Sequence, residues 1–185
     1  MQLPDESQLY TYADYCGWGD EERWELIDGI PFAMAPAPST AHQSISSVLH
    51  GKLFAFLEGK PCKVFHAPFD VRLNSAGEDD TVVQPDIVVV CDTSKLDEKG
   101  CNGAPDMVIE ILSPSTAKKD RVTKFNKYQQ AGVREYWLVD PDSKTLSTHV
   151  LTDGGYITRA YGEEDSAYVS VLKGCEISMP DIFAE

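Results

Sequence analysis

Short apolar runs separated by polar turns dominate the middle of the chain, and they predict β-strands. We predict strands at residues 62–66, 69–73, 82–91 and 106–113, with a polar turn over 74–80. The last two runs do not alternate apolar with polar residues. Unbroken apolar runs of this length are typical of strands covered on both faces. We therefore expect these two strands near the centre of a sheet.

Apolar residues at helical spacing predict two longer helices. The first is expected to begin at Ser39 or Thr40, both good helix caps, and to end near Glu58. The second covers residues 117–131 and is expected to stop at Gly132. A further short helix is predicted near the amino terminus, over residues 5–16.

The order of these elements predicts the fold class. Asp28-Gly29 between two apolar runs is a strong hairpin signal, so an N-terminal hairpin is expected there. Residues 144–182 alternate short strand-like pieces with Gly and Asp turns, which predicts an antiparallel C-terminal extension. Helix, several strands, helix and strand in succession predict an α/β fold, with a mixed β-sheet core flanked by helices. We expect a single domain over residues 1–185.

Composition excludes several classes of protein. Of the 185 residues 42% are hydrophobic and 25% are charged, which is ordinary for a globular domain. The longest apolar runs reach about seven residues, where a membrane span needs about 20. The first ten residues lack the pattern of a signal peptide. We therefore expect a cytoplasmic protein with no membrane partner.

The cysteines do not predict a metal site. They are odd in number, widely spaced and contain no C-x-x-C pair, so a zinc site or a disulfide framework is not expected. We expect reduced, mostly packed thiols at Cys16, Cys62, Cys91, Cys101 and Cys175.

The formal net charge of -14 argues against a broad nucleic-acid-binding surface. Five of the 16 basic residues nevertheless fall within ten positions, directly after "SPST". They are Lys118, Lys119, Arg121, Lys124 and Lys127. The sequence leaves two interpretations open: a solvated helix face, or a local positive site.

Two carboxylates interrupt the apolar strands. Asp86 follows Pro85 where one run begins, and Glu110 lies in the middle of the other. A charged group in such surroundings must pair, bind a metal ion or shift its pKa. An exposed position at a strand end remains the alternative for each acid taken alone.

A helical wheel over residues 117–131 selects one lysine. One inward-facing arc contains Ala117, Arg121, Lys124, Phe125, Tyr128 and Gly132. Lys124 is therefore predicted to face the sheet, while Lys127 points elsewhere. A harmless lysine with its ammonium reaching solvent remains the alternative.

Two strand carboxylates and an inward lysine are the groups that metal-assisted phosphodiester hydrolysis needs. Carboxylates hold a hard cation such as Mg²⁺ or Mn²⁺, and the cation polarises the phosphate and activates water. A lysine can orient that water or offset developing charge. This combination predicts catalysis by Asp86, Glu110 and Lys124.

Three stretches, "QPDIVVV", "MVIEILSPST" and "KDRVTKFNKYQQAGVREYWLVDP", resemble the Uma-type restriction-endonuclease family of the PD-(D/E)XK nuclease superfamily. The resemblance implies a restriction-endonuclease-like core, a DNA substrate, and Asp86 and Glu110 as ligands of Mg²⁺ or Mn²⁺, with no organic cofactor. The strand position that holds lysine in the superfamily is Leu112 here. The resemblance implies that the next helix supplies this lysine, which agrees with Lys124. A homodimer is compatible with a small nuclease.

Further candidates surround this predicted site. The possible accessory residues are Glu25, His42, Asp70 and Tyr128. The start of the second helix can attract a phosphate through its free N–H groups. The candidate phosphate-binding residues there are Ser115, Thr116 and Arg121.

Two other functions stay open at this point. A nuclease-like module could bind DNA or a protein partner without cutting, which Leu112 and the acidic composition favour. A structural or regulatory protein without any site is the third hypothesis.

Overall fold

A computed structural model describes residue 4 and residues 7–18, 22–34, 37–73 and 79–184. The strands in these ranges are β1 (Trp24–Ile27), β2 (Ile30–Ala33), β3 (Lys63–His66), β4 (Val71–Arg72), β5 (Val82–Val83), β6 (Ile87–Val90), β7 (Leu96–Asp97), β8 (Gly100–Asn102), β9 (Met107–Ile111), β10 (Glu135–Asp140), β11 (Thr145–Thr152), β12 (Gly155–Tyr161), β13 (Ser166–Tyr168) and β14 (Glu176–Ser178). The α-helices are α1 (Tyr12–Tyr15), α2 (Thr40–Leu57), α3 (Phe125–Ala131) and α4 (Met179–Ile182). A 3₁₀ turn covers Thr93–Lys95, and a π-helical segment covers Lys119–Lys124.

Two mixed six-stranded sheets form the body of the protein. The central sheet has the order β12-β11-β10-β9-β6-β3, and only its β9–β10 pair is parallel among the described strands. The second sheet has the order β2-β1-β5-β4-β8-β7, and β13 pairs with β14. The predicted mixed α/β fold is confirmed. The hairpin at Asp28-Gly29 and the antiparallel strands after β10 are confirmed as well.

The central sheet is covered on both faces, which explains its unbroken apolar strands. Met107, Ile109 and Ile111 of β9 face a core that includes Leu49 and Leu53 of α2. The alternate residues face the opposite side, where Val108 of β9 and Leu112, directly after it, pack in the same cluster as Tyr128 of α3. Glu110 shares this second face because successive strand residues alternate.

The run predicted as one strand over 82–91 is two strands in different sheets. β5 belongs to the second sheet and β6 to the central sheet, with Gln84, Pro85 and Asp86 between them. Pro85 has no N–H to donate to a sheet, which fits a break at this point. Asp86 therefore lies where the chain crosses from one sheet to the other.

The helix predicted over 117–131 is present but has two parts. The π-helical segment Lys119–Lys124 comes first, and α3 continues to Gly132, whose left-handed backbone (φ 88°) ends it. A wheel drawn for an α-helix correctly turns Lys124 and Tyr128 inward. It wrongly turns Arg121 inward, since this residue is exposed, while Asp120 is buried. The wider π-helical turn changes the angle between successive residues, so an α-helical wheel misplaces some of them.

Helix α2 matches its prediction closely, and the N-terminal helix does not. Ser39 caps α2 by accepting a hydrogen bond from the amide of His42 (3.2 Å). The helix expected over residues 5–16 is limited to α1, although residues 5–6 lie outside the described parts. Most of the predicted polar turn, residues 74–78, also lies outside them.

The expectation of reduced thiols is wrong for one pair, because Cys62 and Cys91 form a disulfide. β3 and β6 are antiparallel with Lys63 opposite Val90, so the next pair outward is Cys62 and Cys91. Sequence spacing could not reveal this pairing, since it depends on strand register. The other three cysteines are free.

None of the helices in the described ranges has the length and apolar character needed to cross a lipid bilayer.

Candidate active site

A cavity of about 680 Å³ opens where the two sheets meet the amino-terminal end of α2. Its walls include Glu25 of β1, His42 of α2 and the loop that follows β9. Asp86, Glu110 and Lys124 also line it. The cavity therefore brings together the three residues predicted to be catalytic.

Strand register places the two predicted metal-binding acids face to face. β6 and β9 are antiparallel, with Ile87 opposite Ile109 and Val88 opposite Val108. Extending this register by one residue puts Asp86 opposite Glu110, on the same face of the sheet. Asp86 Oδ2 accepts a hydrogen bond from the amide of Ile111 (2.8 Å), which holds its carboxylate at the end of β9.

Glu110 is almost completely buried and is held by two donors. Its Oε1 accepts hydrogen bonds from Lys124 Nζ and from the hydroxyl of Tyr128, each at 2.8 Å. Burial raises the pKa of Glu110 strongly; Lys124 lowers it, and the nearby charges of Asp120 and Asp86 raise it again, to about 8. Glu110 therefore holds a proton more firmly than an ordinary glutamate side chain does.

The ammonium of Lys124 lies among three carboxylates. Nζ is 2.7 Å from Glu25 Oε1, 2.8 Å from Glu110 Oε1 and 3.6 Å from Asp120 Oδ1. Burial alone lowers the pKa of Lys124, but the charges of Glu110 and Glu25 raise it well above its usual value. Lys124 therefore stays charged in the cavity.

Glu25 supports the lysines from the opposite sheet. It is fully buried and bridges Lys119 (2.6 Å) and Lys124 (2.7 Å), and it also accepts the amide of Gln84 (3.1 Å). Burial raises the pKa of Glu25, but Lys124 and Lys119 together lower it to about 2. Glu25 is thus an ionised anchor for these two cations. The sequence left open whether Lys119 lies on a solvated helix face or in a local positive site, and the structure pairs it with Glu25.

Asp120 is a site residue that sequence analysis missed. Its side chain is buried, and among the described residues no group donates a hydrogen bond to its Oδ1. Burial raises the pKa of its carboxyl group. The signal available in the sequence was its position four residues before Lys124, but the inward arc of the α-helical wheel did not include it.

His42 contacts Asp86 from α2. Its Nε2 lies 3.2 Å from Asp86 Oδ2. Burial lowers the pKa of His42, but the hydrogen bond and charge of Asp86 raise it above its usual value. The Nδ1 atom is buried and has no hydrogen-bond partner among the described residues.

The remaining candidates divide into two groups. Ser115 and Thr116 line the cavity, where Thr116 Oγ1 is 3.0 Å from Ser113 Oγ. Asp70 is not among the lining residues; it accepts hydrogen bonds from Tyr15 (3.0 Å) and Gln84 (2.8 Å). Arg121 faces away from the cavity and forms an ion pair with Asp140 at 2.9 Å.

Asp86 and Glu110 are the predicted ligands on the cavity wall, and carboxylates of this kind could hold a hard cation. Within the described ranges, no group of three or more His, Cys, Asp or Glu side chains is arranged as metal ligands. Mg²⁺ commonly binds through one or two carboxylates and keeps several waters. Asp86 and Glu110 line the cavity and carry carboxylate oxygens of that kind.

Comparison with known proteins agrees with this architecture. The crystal structure of a "putative nuclease belonging to DUF820" from Anabaena variabilis ATCC 29413 superposes with a TM-score of 0.77 at 22% identity, covering 95% of this chain and 98% of that one. An uncharacterized protein of Synechocystis sp. (strain ATCC 27184 / PCC 6803 / Kazusa) is 27% identical over 157 residues, which are 82% of this chain and 80% of the relative.

A family match covers nearly the whole chain. Residues 9–180 match the family Uma2, described as "Putative restriction endonuclease". This range contains both sheets and every residue that lines the cavity. The chain therefore belongs to the Uma2 family of nuclease-like proteins.

Proposed function

We propose that the protein is a Mg²⁺-dependent endonuclease that hydrolyses phosphodiester bonds in DNA. The observation that carries this proposal is the opposed pair Asp86 and Glu110 beside the buried ammonium of Lys124. Family membership supports a nuclease function in general. The metal, the substrate and the residue roles are our proposal.

Asp86 and Glu110 would hold the cation, which polarises the scissile phosphate and lowers the pKa of a bound water. Glu110 must give up the proton on its carboxyl group before it can act as a ligand, because its pKa is about 8. We therefore expect cation binding to strengthen as the pH rises toward 8.

Lys124 would orient the attacking water and offset the negative charge that develops on the phosphate. Glu25 and Asp120 also contact its ammonium, and these two contacts would remain if the carboxylate of Glu110 turned to a cation. Lys124 thus has support that does not depend on the metal ligands.

Other cavity residues offer contacts for the phosphate. Lys119 adds a second ammonium from the π-helical segment, and its side chain is 19% exposed. Ser115 and Thr116, which precede this segment in the chain, contribute hydroxyl groups to the cavity. His42 holds Asp86 at 3.2 Å and orients that carboxylate.

The test is incubation with supercoiled, linear and single-stranded DNA in the presence of Mg²⁺ or Mn²⁺, with EDTA as the negative control. Asp86→Asn is the informative variant, because it removes the charge while keeping an oxygen for the Ile111 amide. Asp153→Asn in the exposed turn between β11 and β12 is the matched control. Cleavage by the wild type and the control but not by Asp86→Asn is expected.

A second candidate is a nuclease-like module that binds DNA without cutting it. It is favoured by Leu112, which is buried at the strand position where the superfamily has lysine. Metal-dependent DNA binding without turnover on any of the three substrates would support it over the nuclease.

A further inference from the structure

A row of uncharged polar and aromatic side chains runs from the cavity along one face of α2. Gln43, Ser46, His50 and Phe54 recur every three or four residues and therefore lie on one side of the helix. Gln43 and Ser46 line the cavity at one end. Phe54 is 62% exposed at the other end. We call these four residues, together with His66 of β3, the α2 track.

The rings of the α2 track form a continuous series. His66 lines the cavity, and its ring centre lies 5.0 Å from that of His50 in an edge-to-face contact. His50 in turn lies 6.2 Å from Phe54, with the two ring planes only 23° apart. The aromatic surface thus begins at the cavity and ends at the exposed face of Phe54.

The charge of the protein limits what this surface can bind. A duplex is held mainly through many phosphate contacts to Lys and Arg, and a protein with a net charge of -14 offers few of them. A single strand can be held with fewer charges, because its unpaired bases stack on aromatic side chains. Bases within a duplex are already stacked on each other and are not available to Phe54.

The burial of Glu110 and Lys124 also favours a single strand as the substrate. Glu110 and Lys124 are only 4% and 3% exposed at the floor of the cavity. A phosphate of a single strand can enter such a cavity because no paired second strand has to be accommodated beside it. A strand leaving the cavity beside His66 would then meet the rings of the α2 track.

We infer that the α2 track binds the bases of a single DNA strand whose phosphate occupies the cavity, and that Phe54 is its terminal stacking residue. This inference rests on the proposed nuclease function, since it identifies the form of the substrate. It assigns Phe54 to substrate binding and gives it no part in the chemical step.

The test compares binding of a short fluorescent oligothymidylate with binding of a duplex of equal length, in EDTA so that no cleavage occurs. Phe54→Ala is expected to weaken single-strand binding about tenfold, because it removes one base–aromatic stack. Binding of the duplex should change little. Tyr168→Ala is the matched control, because Tyr168 is a similarly exposed aromatic residue (64%) on β13 and does not line the cavity.

Phe54→Trp provides a second measurement, because it keeps a stacking surface and should retain the affinity of the wild type. An oligouridylate probe of the same length shows whether the track also accepts RNA. Equal affinity of the wild type for duplex and single strand would overturn the inference. So would an equal loss of affinity in Phe54→Ala and Tyr168→Ala, or no loss in either.

Failure of the two proposals can be told apart. Phe54-dependent single-strand binding with no turnover under Mg²⁺ or Mn²⁺ would refute the nuclease and leave the α2 track intact. Cleavage that depends on Asp86 but is unaffected by Phe54→Ala would refute the track and leave the nuclease intact. If both are correct, Phe54→Ala should raise KM for single-stranded DNA while kcat is largely kept.

Discussion

Lys124 connects the two sheets through its ammonium group. Glu25 comes from the second sheet, Glu110 from the central sheet and Asp120 from the π-helical segment, yet all three lie within 3.6 Å of Nζ. A buried ion pair contributes little net stability, but removing one partner leaves the other charges without compensation. Lys124 is therefore important for stability as well as for the proposed catalysis.

We expect Lys124→Ala to lower hydrolysis by about 10² to 10⁴-fold, the range for loss of one charge-stabilising or proton-transferring group. It should also destabilise the protein by about 3–5 kcal/mol at neutral pH, because buried, ionised Glu25 loses one of its two counter-ions. Turnover is measured below the melting temperature of the variant, and divalent-ion binding is measured by calorimetry. We expect the variant to retain divalent-ion binding.

Lys127→Ala is the control, because Lys127 pairs with exposed Asp28 and does not line the cavity. It should leave turnover and melting nearly unchanged. Unchanged turnover in Lys124→Ala, or loss of turnover only in Lys127→Ala, would show that the lysine is wrongly assigned.

Glu110 gives a prediction about pH. Its pKa is about 8 in the folded protein against an ordinary value of 4.5, so the folded state binds more protons between these values. The contribution of Glu110 to stability is therefore fully present below pH 4.5 and is lost as the pH rises through 8. Glu110→Gln carries no proton to lose.

The melting temperature of Glu110→Gln, measured without metal, should equal that of the wild type near pH 5 and exceed it increasingly up to pH 8. Mg²⁺ should stabilise the wild type but not the variant. A variant that melts far below the wild type at every pH would contradict the assignment of a raised pKa.

At the scale of elements, the connection between β5 and β6 is what positions the site. β5 pairs with β1, which carries Glu25, and β6 pairs with β9, which carries Glu110. The segment between them contains Asp86, so one short crossing fixes three acids relative to each other. The second sheet must therefore hold its shape for the cavity to form.

Gly100 tests that requirement, because it begins β8 beside β4 with a φ of 131°. An added Cβ would clash with the backbone carbonyl oxygen of Asp70, which also accepts the amide of Cys101 (2.9 Å). We expect Gly100→Ala to destabilise the protein by at least about 2 kcal/mol in urea unfolding.

Gly59→Ala is the matched control, since Gly59 also has a positive φ (72°) but has open space around it. It should cost about 1–2 kcal/mol, less than Gly100→Ala. Equal effects of the two substitutions would mean that backbone conformation alone, and not the contact with Asp70, sets the cost.

At the scale of the whole molecule, the Cys62–Cys91 disulfide joins the residue before β3 to the residue after β6. β3 is an edge strand of the central sheet, and α2 packs across the face of that sheet. The disulfide closes a loop of 29 residues that contains both β3 and the crossing at Asp86. It therefore constrains the part of the chain that carries one of the proposed metal ligands.

Reduction of this disulfide should lower the free energy of unfolding by about 2–4 kcal/mol, because the unfolded chain regains the entropy of an open loop. Thermal melting with and without dithiothreitol measures the effect. Cys62→Ser should melt at the temperature of the reduced wild type and show no further change with reductant. A response of Cys62→Ser to reductant would point to a different cysteine pair.

The sequence by itself determined most of the longer elements, and it named several of the residues that line the cavity. Unbroken apolar runs around Asp86 and Glu110 indicated covered strands, and helical spacing turned Lys124 toward them. These inferences succeeded because burial and backbone periodicity are local properties that each segment carries in its own pattern. The family motifs added the expected fold.

Only the tertiary structure decided which charges meet. It placed Asp86 opposite Glu110, paired Lys119 and Lys124 with Glu25, buried Asp120 and turned Arg121 outward. The tertiary structure also decided the Cys62–Cys91 bond and the division of one apolar run between two sheets. Each depends on strand register, on a π-helical turn or on contact between segments far apart in sequence. A local pattern of residues does not contain that information, because it is set by how distant segments pack together.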